Sequence, residues 1–186
     1  MQFTTITDSL RRTTESSRHL IDATVDQLSD KELHRRPSPE TNSVAVLLRH
    51  LGGNLKSRWT DFLTTDGEKP NRDRDREFHD WDGDRQSLCD YFDTGWKIFQ
   101  EAIDQVNESN IESFILIRGE KQSVLDALLR SVTHVTYHAG QITMTARLVH
   151  EGPWHWLTIA PGKSKQHNES TWGTSQSRSV FGRGGR

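Results

Sequence analysis

Residues 44–62 decide the fold of this chain, and they read Val44-Ala-Val-Leu-Leu-Arg-His-Leu-Gly-Gly-Asn-Leu-Lys-Ser-Arg-Trp-Thr-Asp-Phe62. Apolar side chains recur in this stretch at intervals of three and four residues, which is the spacing of one face of an α-helix. The members of this stripe are Val44, Leu48, Leu51, Leu55, Trp59 and Phe62. Ser43 adds an N-cap signal just before the stripe. The stretch therefore predicts a long amphipathic helix.

Two adjacent glycines, Gly52 and Gly53, lie in the middle of this predicted helix. Each glycine is expected to destabilise a helix by roughly 1 kcal/mol relative to alanine. A helix that keeps both is expected to let another backbone or a ligand come close to it.

Three further segments have helical periodicity. They span about residues 3–28, 84–106 and 123–150. Asp84 is a favourable N-cap for the third helix, and the Ser-x-x-Asp pattern from Ser123 resembles a capping box at the start of the fourth. Between these two helices, a short extended run with a turn at Gly119 predicts a minimal β-hairpin. The predicted fold class is all-α, a four-helix bundle.

A long charged segment, residues 64–84, separates the second helix from the third. A structureless loop of this length is uncommon inside a compact domain, and such loops are either functional or mobile. Its alternating charges also fit a solvated crossover between two parallel helices. Both interpretations stay open at this point, and the bundle has in either case a long crossover between helices 2 and 3.

The chain has 186 residues, which is enough for one domain. Hydrophobic residues make up only 32% of it, so the core must be concentrated on the faces of a few helices. Residues 1–168 are expected to form the bundle. The sequence after Asn168 has no periodicity, so residues 169–186 are expected to form a flexible tail.

Charge and composition exclude several classes of protein. No apolar run approaches the length of about 20 residues that a membrane helix needs, and the N-terminus lacks the features of a signal peptide. The single cysteine, Cys89, fits a reducing compartment, so the predicted location is the cytoplasm. The net charge is −2 at pH 7, and the arginines within residues 72–77 alternate with acidic residues. We therefore expect neither a membrane nor a nucleic-acid partner.

Two histidines of the fourth predicted helix, His134 and His138, are four residues apart. One turn of α-helix places both imidazoles on the same side, at the edge of the apolar stripe. His50 occupies a similar position beside the leucines of the second helix. Three neutral imidazoles from two packed helices suit Zn²⁺ or Ni²⁺ and leave a coordination position for water or substrate. We therefore predict that His50, His134 and His138 bind one divalent metal.

The His-x-x-x-His spacing alone is a weak signal, because such pairs are more often partly exposed and hydrogen-bonded to backbone or water. It is not the zincin motif, since Val135 stands where that protease motif has its glutamate. The third histidine, on another helix, strengthens the metal interpretation. His79 is also a candidate site residue because the long loop could fold over the site, whereas His150 and His155 are expected at the surface.

Three segments carry a resemblance to a known family. Pro37-Ser-Pro-Glu-Thr-Asn-Ser43 leads into the helix that contains His50-Leu-Gly-Gly-Asn54, an arrangement that resembles the DinB/YfiT-like superfamily. His134-x-x-x-His138-Ala-Gly-Gln-Ile resembles the second metal motif of that superfamily. The segment from Trp156 to Asn168 resembles the end of its DUF1572 branch. The resemblance covers nearly the whole chain up to Asn168.

This resemblance implies an up-down-down-up four-helix bundle, a three-histidine site for Zn or Ni, and a homodimer. Characterised members of the superfamily include thiol-dependent S-transferases and isomerases that use bacillithiol or mycothiol. A low-molecular-weight thiol is therefore an expected cosubstrate. Another branch is damage-inducible and has no settled activity.

Two functions are compatible with these residues. In the first, the protein is a metal-dependent transferase or hydrolase that activates a thiol or water at the three-histidine site. Asn54 and Gln141 are then candidates to orient the ligands, and Tyr137 and His79 are candidate acid/base groups. In the second, the protein is a non-catalytic, metal-stabilised stress-response or dimerisation protein. No obvious carboxylate lies on the predicted histidine faces, which argues against a hydrolase.

Overall fold

The computed structural model describes residues 3–172 of the chain. These residues are mostly helical with one small hairpin, which agrees with the predicted all-α class at that level. In chain order the elements are α1 (Phe3–Val25), α2 (Asp30–His34), α3 (Val44–Trp59), α4 (Arg85–Gln105), β1 (Phe114–Ile117), β2 (Glu120–Ser123), α5 (Val124–Val149) and α6 (Ser164–Thr171). A single 3-10 turn, Arg76–Phe78, lies between α3 and α4. None of the helices within residues 3–172 has both the length and the apolar character that crossing a membrane requires.

Side-chain caps begin three of the four long helices. Ser43, Asp84 and Ser123 are the N-caps of α3, α4 and α5, as their sequence signals predict. Each side chain accepts a hydrogen bond from the backbone N–H three residues further on, at 3.2, 2.9 and 3.0 Å respectively. These bonds satisfy backbone donors that have no partner inside the helix. The starts of the three helices are therefore determined by the local sequence.

Helices α3 and α4 lie side by side and run in the same direction. Gly52 of α3 is opposite Phe92, and further along both helices the ring of Trp59 packs against Phe99 with centroids 5.3 Å apart. The approach is close because Gly95 has no side chain: a Cβ there would lie 2.9 Å from the Cα atom of Gly52. Because the two helices are parallel, the loop that joins them is a crossover and has to run back along the length of a helix.

Helix α1 packs against α5, again in the same direction. Ser17 Oγ lies 3.3 Å from Thr136 Oγ1, and Thr24 Oγ1 lies 3.1 Å from Thr143 Oγ1. Both α1 hydroxyls also donate to a backbone carbonyl one turn earlier, so these buried polar groups are satisfied. This packing holds the polar middle of α1 in a helix, where intrinsic propensity alone is weak.

Helix α5 also packs against α3, but in the opposite direction. Trp59, at the end of α3, donates its indole N–H to Ser131 at 3.1 Å. His50, earlier on α3, faces His134, which is further along α5. The antiparallel packing therefore brings the predicted metal-binding histidines of the two helices together.

The apolar stripe that predicts α3 lies in the centre of the core. All six of its side chains are at most 2% exposed, and they join one cluster with the apolar faces of α1, α4 and α5. Phe62 belongs to this cluster although the helix itself ends at Trp59. Burial of the stripe thus continues into the first turn of the loop.

Strands β1 and β2 form the predicted minimal hairpin. Ile117 is paired with Glu120 around a turn in which Arg118 and Gly119 have φ angles of 56° and 76°. Asp66, in the crossover loop, accepts hydrogen bonds from the backbone N–H groups of Arg118 and Gly119 at 2.8 and 2.7 Å. The crossover loop therefore holds the hairpin turn in place.

Some boundaries differ from the predicted ones. Helix α1 ends at Val25, before the predicted end, because the separate short helix α2 follows with its own capping box of Ser29 and Glu32. Helix α6 continues to the buried residue Thr171, so it includes the first residues of the predicted tail. The remainder of that predicted tail, residues 173–186, lies outside the described residues.

Candidate metal centre

The three histidines predicted as ligands meet between α3 and α5. The Nε2 atom of His134 lies 3.3 Å from Nε2 of His50 and 3.1 Å from Nε2 of His138. The candidate donor atoms of the three rings all lie within 4.8 Å of one another. His50 and His138 are buried, and His134 is half-buried. The three side chains could therefore hold one metal ion.

Core packing fixes the orientation of the histidine pair on α5. Val135 and Ala139 each follow one of the histidines in sequence, and both are fully buried. The helix cannot rotate without removing them from the core. Since residues four apart share one side of a helix, the rings of His134 and His138 then point in the same direction.

A carboxylate from the crossover loop contacts the site. Glu77, in the 3-10 turn, is buried, and its Oε2 accepts a hydrogen bond from Nδ1 of His50 at 2.9 Å. Arg72 donates to both carboxylate oxygens of Glu77, each at 2.8 Å. Burial by itself would raise the pKa of Glu77, but the hydrogen bonds from His50 and Arg72 and the charge of Arg72 outweigh it and lower the pKa. The carboxylate is therefore ionised at neutral pH.

Glu77 determines which nitrogen of His50 is free. An ionised carboxylate can only accept hydrogen bonds, so Nδ1 of His50 carries a proton and Nε2 is the nitrogen left to bind a metal. Nε2 faces the other two histidines. Phe78 covers the His50 ring, with centroids 4.7 Å apart. A carboxylate that orients a histidine in this way is a common support of metal-binding histidines.

The two glycines of α3 have separate roles at this site. A Cβ on Gly53 would lie 2.8 Å from Cδ of Glu77, so a larger residue would displace the carboxylate. A Cβ on Gly52 would instead meet the backbone of Phe92 at 3.0 Å. The expectation that these glycines admit a close neighbour is confirmed, and the neighbours are a helix backbone and a carboxylate of the chain itself.

The surroundings keep His134 and His138 neutral. Burial lowers the pKa of His134 to about 3 and that of His138 to about 4, and the neighbouring histidines shift both pKa values in the same direction. The Nδ1 atoms of both rings have no hydrogen-bond partner within residues 3–172. Neutral imidazole is the form that binds metals, and the convergence of these two rings with that of His50 in one site fits a borderline transition ion such as Zn²⁺ or Ni²⁺.

Two of the other predicted site residues lie in a cleft that opens onto the histidines. Asn54 and Tyr137 line this cleft together with His50 and His134. Gln141 donates its side-chain amide to Tyr137 Oη at 2.9 Å. Tyr137 is therefore held at the entrance of the site by a neighbour one turn along the same helix.

The crossover loop reaches the site through residues other than the predicted one. His79 is exposed and does not belong to the histidine group found among the described residues. Glu77 and Phe78, just before it, make the contacts with His50. Sequence reasoning missed Glu77 and its partner Arg72, and the double glycine beside His50 was the only signal for a close neighbour on that side of α3.

Comparison with known proteins identifies the family. The family model described as "Protein of unknown function (DUF1572)" matches residues 3–163, which is most of the chain, and the chain belongs to the DUF1572 family. A solved structure described as "Crystal structure of the conserved protein of locus from Enterococcus faecalis" has a similar fold, with a TM-score of 0.59 and 20% sequence identity. That similarity covers 80% of this chain and 98% of the other. Comparison with curated proteins gives no match.

Proposed function

We propose that this DUF1572 chain binds one divalent transition metal, Zn²⁺ or Ni²⁺, through Nε2 of His50, His134 and His138, and that the metal serves catalysis. The observation that carries the proposal is the convergence of the three Nε2 atoms, one of them on a ring oriented by a buried carboxylate. Three protein ligands are the number typical of catalytic zinc sites, whereas structural zinc sites usually have four.

The cleft supports a catalytic role because it gives small molecules access to the histidines. Its volume is about 520 Å³, a size typical of small-molecule sites, and His50 and His134 lie in its wall. A metal ion bound there would lower the pKa of a thiol or water that enters from this side. Asn54 and Tyr137 line the same cleft, and we propose that their side chains hydrogen-bond to such a molecule.

A thiol suits this site better than a water molecule. Hydrolysis usually requires a base beside the water, and Glu77 already accepts hydrogen bonds from His50 and Arg72. A thiol, with a pKa of about 8.5 before any metal binds, needs no separate base. We therefore favour a metal-dependent thiol S-transferase over a hydrolase, with a low-molecular-weight thiol as cosubstrate.

The directions of the helices support a wider superfamily assignment. Helices α1 and α5 run opposite to α3 and α4, and we infer from this the up-down-down-up four-helix bundle that the family resemblance implies. We infer from this order and from the sequence motifs that the chain belongs to the DinB/YfiT-like superfamily. Characterised members of that superfamily include enzymes that use thiol cosubstrates.

The second candidate function is a non-catalytic, metal-stabilised stress-response or dimerisation protein. One observation supports this second function: the histidines come from α3 and α5, two helices that are distant in sequence. An ion bound there would cross-link the two helices, and its binding energy would then contribute to folding.

Metal content tests the site directly. We expect the purified protein to contain close to one equivalent of Zn or Ni per chain by elemental analysis, and we expect His50→Ala to lose it. His155→Ala is the matched control, because His155 is exposed and lies outside the described histidine group. A folded wild-type protein that contains no metal and takes up no added Zn²⁺ would contradict the proposal.

An assay of thiol transfer separates the two functions. Wild-type protein loaded with metal is mixed with an electrophilic test substrate and bacillithiol, mycothiol or glutathione. The enzyme proposal expects thiol transfer that disappears in His50→Ala and also on metal removal, while the melting temperature of the wild type changes little when the metal is removed. A marked drop in melting temperature on metal removal, without thiol transfer in any mixture, would favour the structural function instead.

A further inference from the structure

The cleft beside the histidines is lined by several arginines. Five arginines line it, from α3, the crossover loop, the hairpin turn and α5. They are Arg58, Arg72, Arg74, Arg118 and Arg130. Since His50 and His134 lie in the same wall, the positively charged cleft is continuous with the candidate metal centre.

Acidic residues of the chain neutralise only part of this charge. Glu77 pairs with Arg72 at 2.8 Å, and Glu68 pairs with Arg72 and with Arg118, each at 3.2 Å. Within residues 3–172, no ion pair involves the remaining three cleft arginines, which are Arg58, Arg74 and Arg130. The cleft therefore keeps a surplus of positive charge.

Arg58 is buried, and one nitrogen of its guanidinium group has no hydrogen-bond acceptor among the described residues. The residue is only 7% exposed, and its Nη1 has no hydrogen-bond partner in the described part of the chain. Burial lowers its pKa to about 10, with the charge of Arg130 acting in the same direction, so the side chain is still charged at neutral pH. A buried charged donor without an acceptor destabilises the folded protein. Such a group is expected where an anionic ligand supplies the acceptor.

The cleft also has an apolar wall. Ile117 and Ala127 line the cleft, and both are buried. None of the described residues that line the cleft is acidic. A volume of about 520 Å³ accommodates a small organic molecule. An organic molecule with one charged end therefore matches the lining better than a bare inorganic ion does.

We propose that this cleft binds the oxyanion of a small organic molecule, a carboxylate or a phosphate, and holds that molecule beside the metal centre. Arg58 and Arg130 make the direct contacts, because the planar guanidinium group binds either oxyanion through paired hydrogen bonds. Arg74 and Arg118 add positive charge around them. The inference rests on the proposed function, since it assigns the anionic group to the substrate or cosubstrate of the same site.

Anion binding by the metal-free, full-length protein tests this inference without an enzyme assay. The probes are inorganic phosphate and malonate, each titrated by isothermal calorimetry in a chloride buffer. Arg130→Gln is the main variant, because Arg130 is exposed and its replacement should not affect folding. Arg147→Gln is the matched control, since Arg147 is also exposed on α5 but packs over Trp156 and not in the cleft.

We expect the wild type and Arg147→Gln to bind at least one probe equally well, and Arg130→Gln to bind it at least about tenfold more weakly. A preference for phosphate or for malonate identifies which oxyanion the natural ligand carries. Arg58→Met adds a second measurement. It is expected to abolish binding and to raise the melting temperature, because an apolar chain replaces a buried charge that has no partner.

Two outcomes would overturn the inference: no binding of either probe, or equal binding by the wild type and Arg130→Gln. Neither outcome affects the metal proposal, which is tested by metal content. Conversely, binding by the metal-free protein that depends on Arg130 sustains the inference even if the purified protein holds no metal.

Discussion

Glu77 connects the crossover loop to the candidate metal centre through one buried carboxylate. Glutamine at this position would keep the shape of the side chain but remove the charge that fixes the His50 tautomer. We expect Glu77→Gln to bind Zn²⁺ about 10- to 100-fold more weakly, the range typical when such a supporting group is lost. Competition with a chromophoric chelator measures this affinity.

Glu68→Gln is the control for this change. Glu68 also pairs with Arg72, at 3.2 Å, but it is not the carboxylate that hydrogen-bonds to His50. We expect its zinc affinity to stay close to that of the wild type. If Glu77→Gln bound Zn²⁺ as tightly as the wild type does, the carboxylate would have no role in orienting the histidine for a metal.

Glu32 provides a second carboxylate that connects two parts of the chain, in this case α2 and the end of α5. It accepts hydrogen bonds from Ser29 and from the backbone N–H of Glu151, and it lies 3.1 Å from Nδ1 of His150. His150, expected at the surface, has a side chain that is only 13% exposed. The hydrogen bonds from Ser29, followed by that from Glu151, lower the pKa of Glu32 from 4.5 to about 2. Because the folded state has the lower pKa, this stabilisation is complete above pH 4.5 and is lost as the pH falls towards 2.

We expect Glu32→Gln to be less stable than the wild type at neutral pH and to lose less stability between about pH 5 and pH 2. Urea unfolding at a series of pH values measures both effects. Glu40→Gln should follow the wild-type profile, since Glu40 is exposed and forms no ion pair within residues 3–172. Parallel profiles for the wild type and Glu32→Gln would show that this carboxylate has no part in the acid sensitivity of the fold.

The residues of the site differ in how far the sequence could predict them. His134 and His138 were predictable as a pair because the spacing of one helix decides that they meet. His50 could be added because it lies at the edge of a recognisable apolar stripe. Glu77 could not, because its position depends on the path of the crossover loop, and that path is held by contacts with Arg72 and the hairpin that no local pattern encodes.

At the scale of elements, the contact between α3 and α4 depends on a pair of glycines. A Cβ on Gly95 would lie 2.9 Å from two backbone atoms of Gly52, and backbone cannot move aside as a flexible side chain can. We therefore expect Gly95→Ala to lower the free energy of unfolding by about 1–3 kcal/mol, the usual cost of overpacking. Denaturant unfolding monitored by circular dichroism measures the change.

Gly140→Ala is the matched control for helix propensity. Gly140 is also inside a helix, but nothing lies within 4 Å of a Cβ placed there. The substitution should raise the free energy of unfolding by up to about 1 kcal/mol, because alanine is the better helix former. If both substitutions raised it, the contact between α3 and α4 would be looser than the structure indicates.

The elements also differ in how visible they are in the sequence. Helices α3, α4 and α5 combine long apolar periodicity with a capping side chain, and their starts agree with the prediction. Helices α2 and α6 have only five and eight residues, too few for a periodic pattern to be recognised. The crossover loop spans two parallel helices, and its Glu77 contacts His50, so a functional role of the loop stays a prediction.

At the scale of the molecule, a net charge of −2 hides an uneven distribution of charge. Arg72 and Arg74 alternate with acidic residues along the chain, so the sum of the side-chain charges in this segment predicts a nearly neutral surface. In the folded chain Glu77 pairs with Arg72 beside His50, while Arg74 lines the cleft and forms no ion pair within residues 3–172. The charge of a site depends on which side chains each element turns towards it, and a sum along the sequence does not contain that information.

The outer side of α5 carries an apolar stripe that no described residue covers. Four large side chains on it are between 50% and 62% exposed. They are Leu129, Tyr137, Met144 and Leu148. Tyr137 also lines the cleft, so this surface adjoins the candidate site. We propose that a second copy of the chain packs against the stripe, which would give the homodimer that the family resemblance implies.

Size-exclusion chromatography with light scattering tests this interface. We expect the wild type to be a dimer and the double variant Met144→Lys, Leu148→Lys to be a monomer, because two ammonium groups cannot be buried in an apolar interface without partners. Phe114→Lys is the control, since Phe114 is 70% exposed but lies in β1, and it should remain a dimer. Both lysines replace exposed residues, so the monomer should keep the wild-type helical circular dichroism spectrum, which distinguishes dissociation from unfolding. A wild type that stays monomeric at all concentrations, or a double variant that stays dimeric, would exclude α5 as the interface.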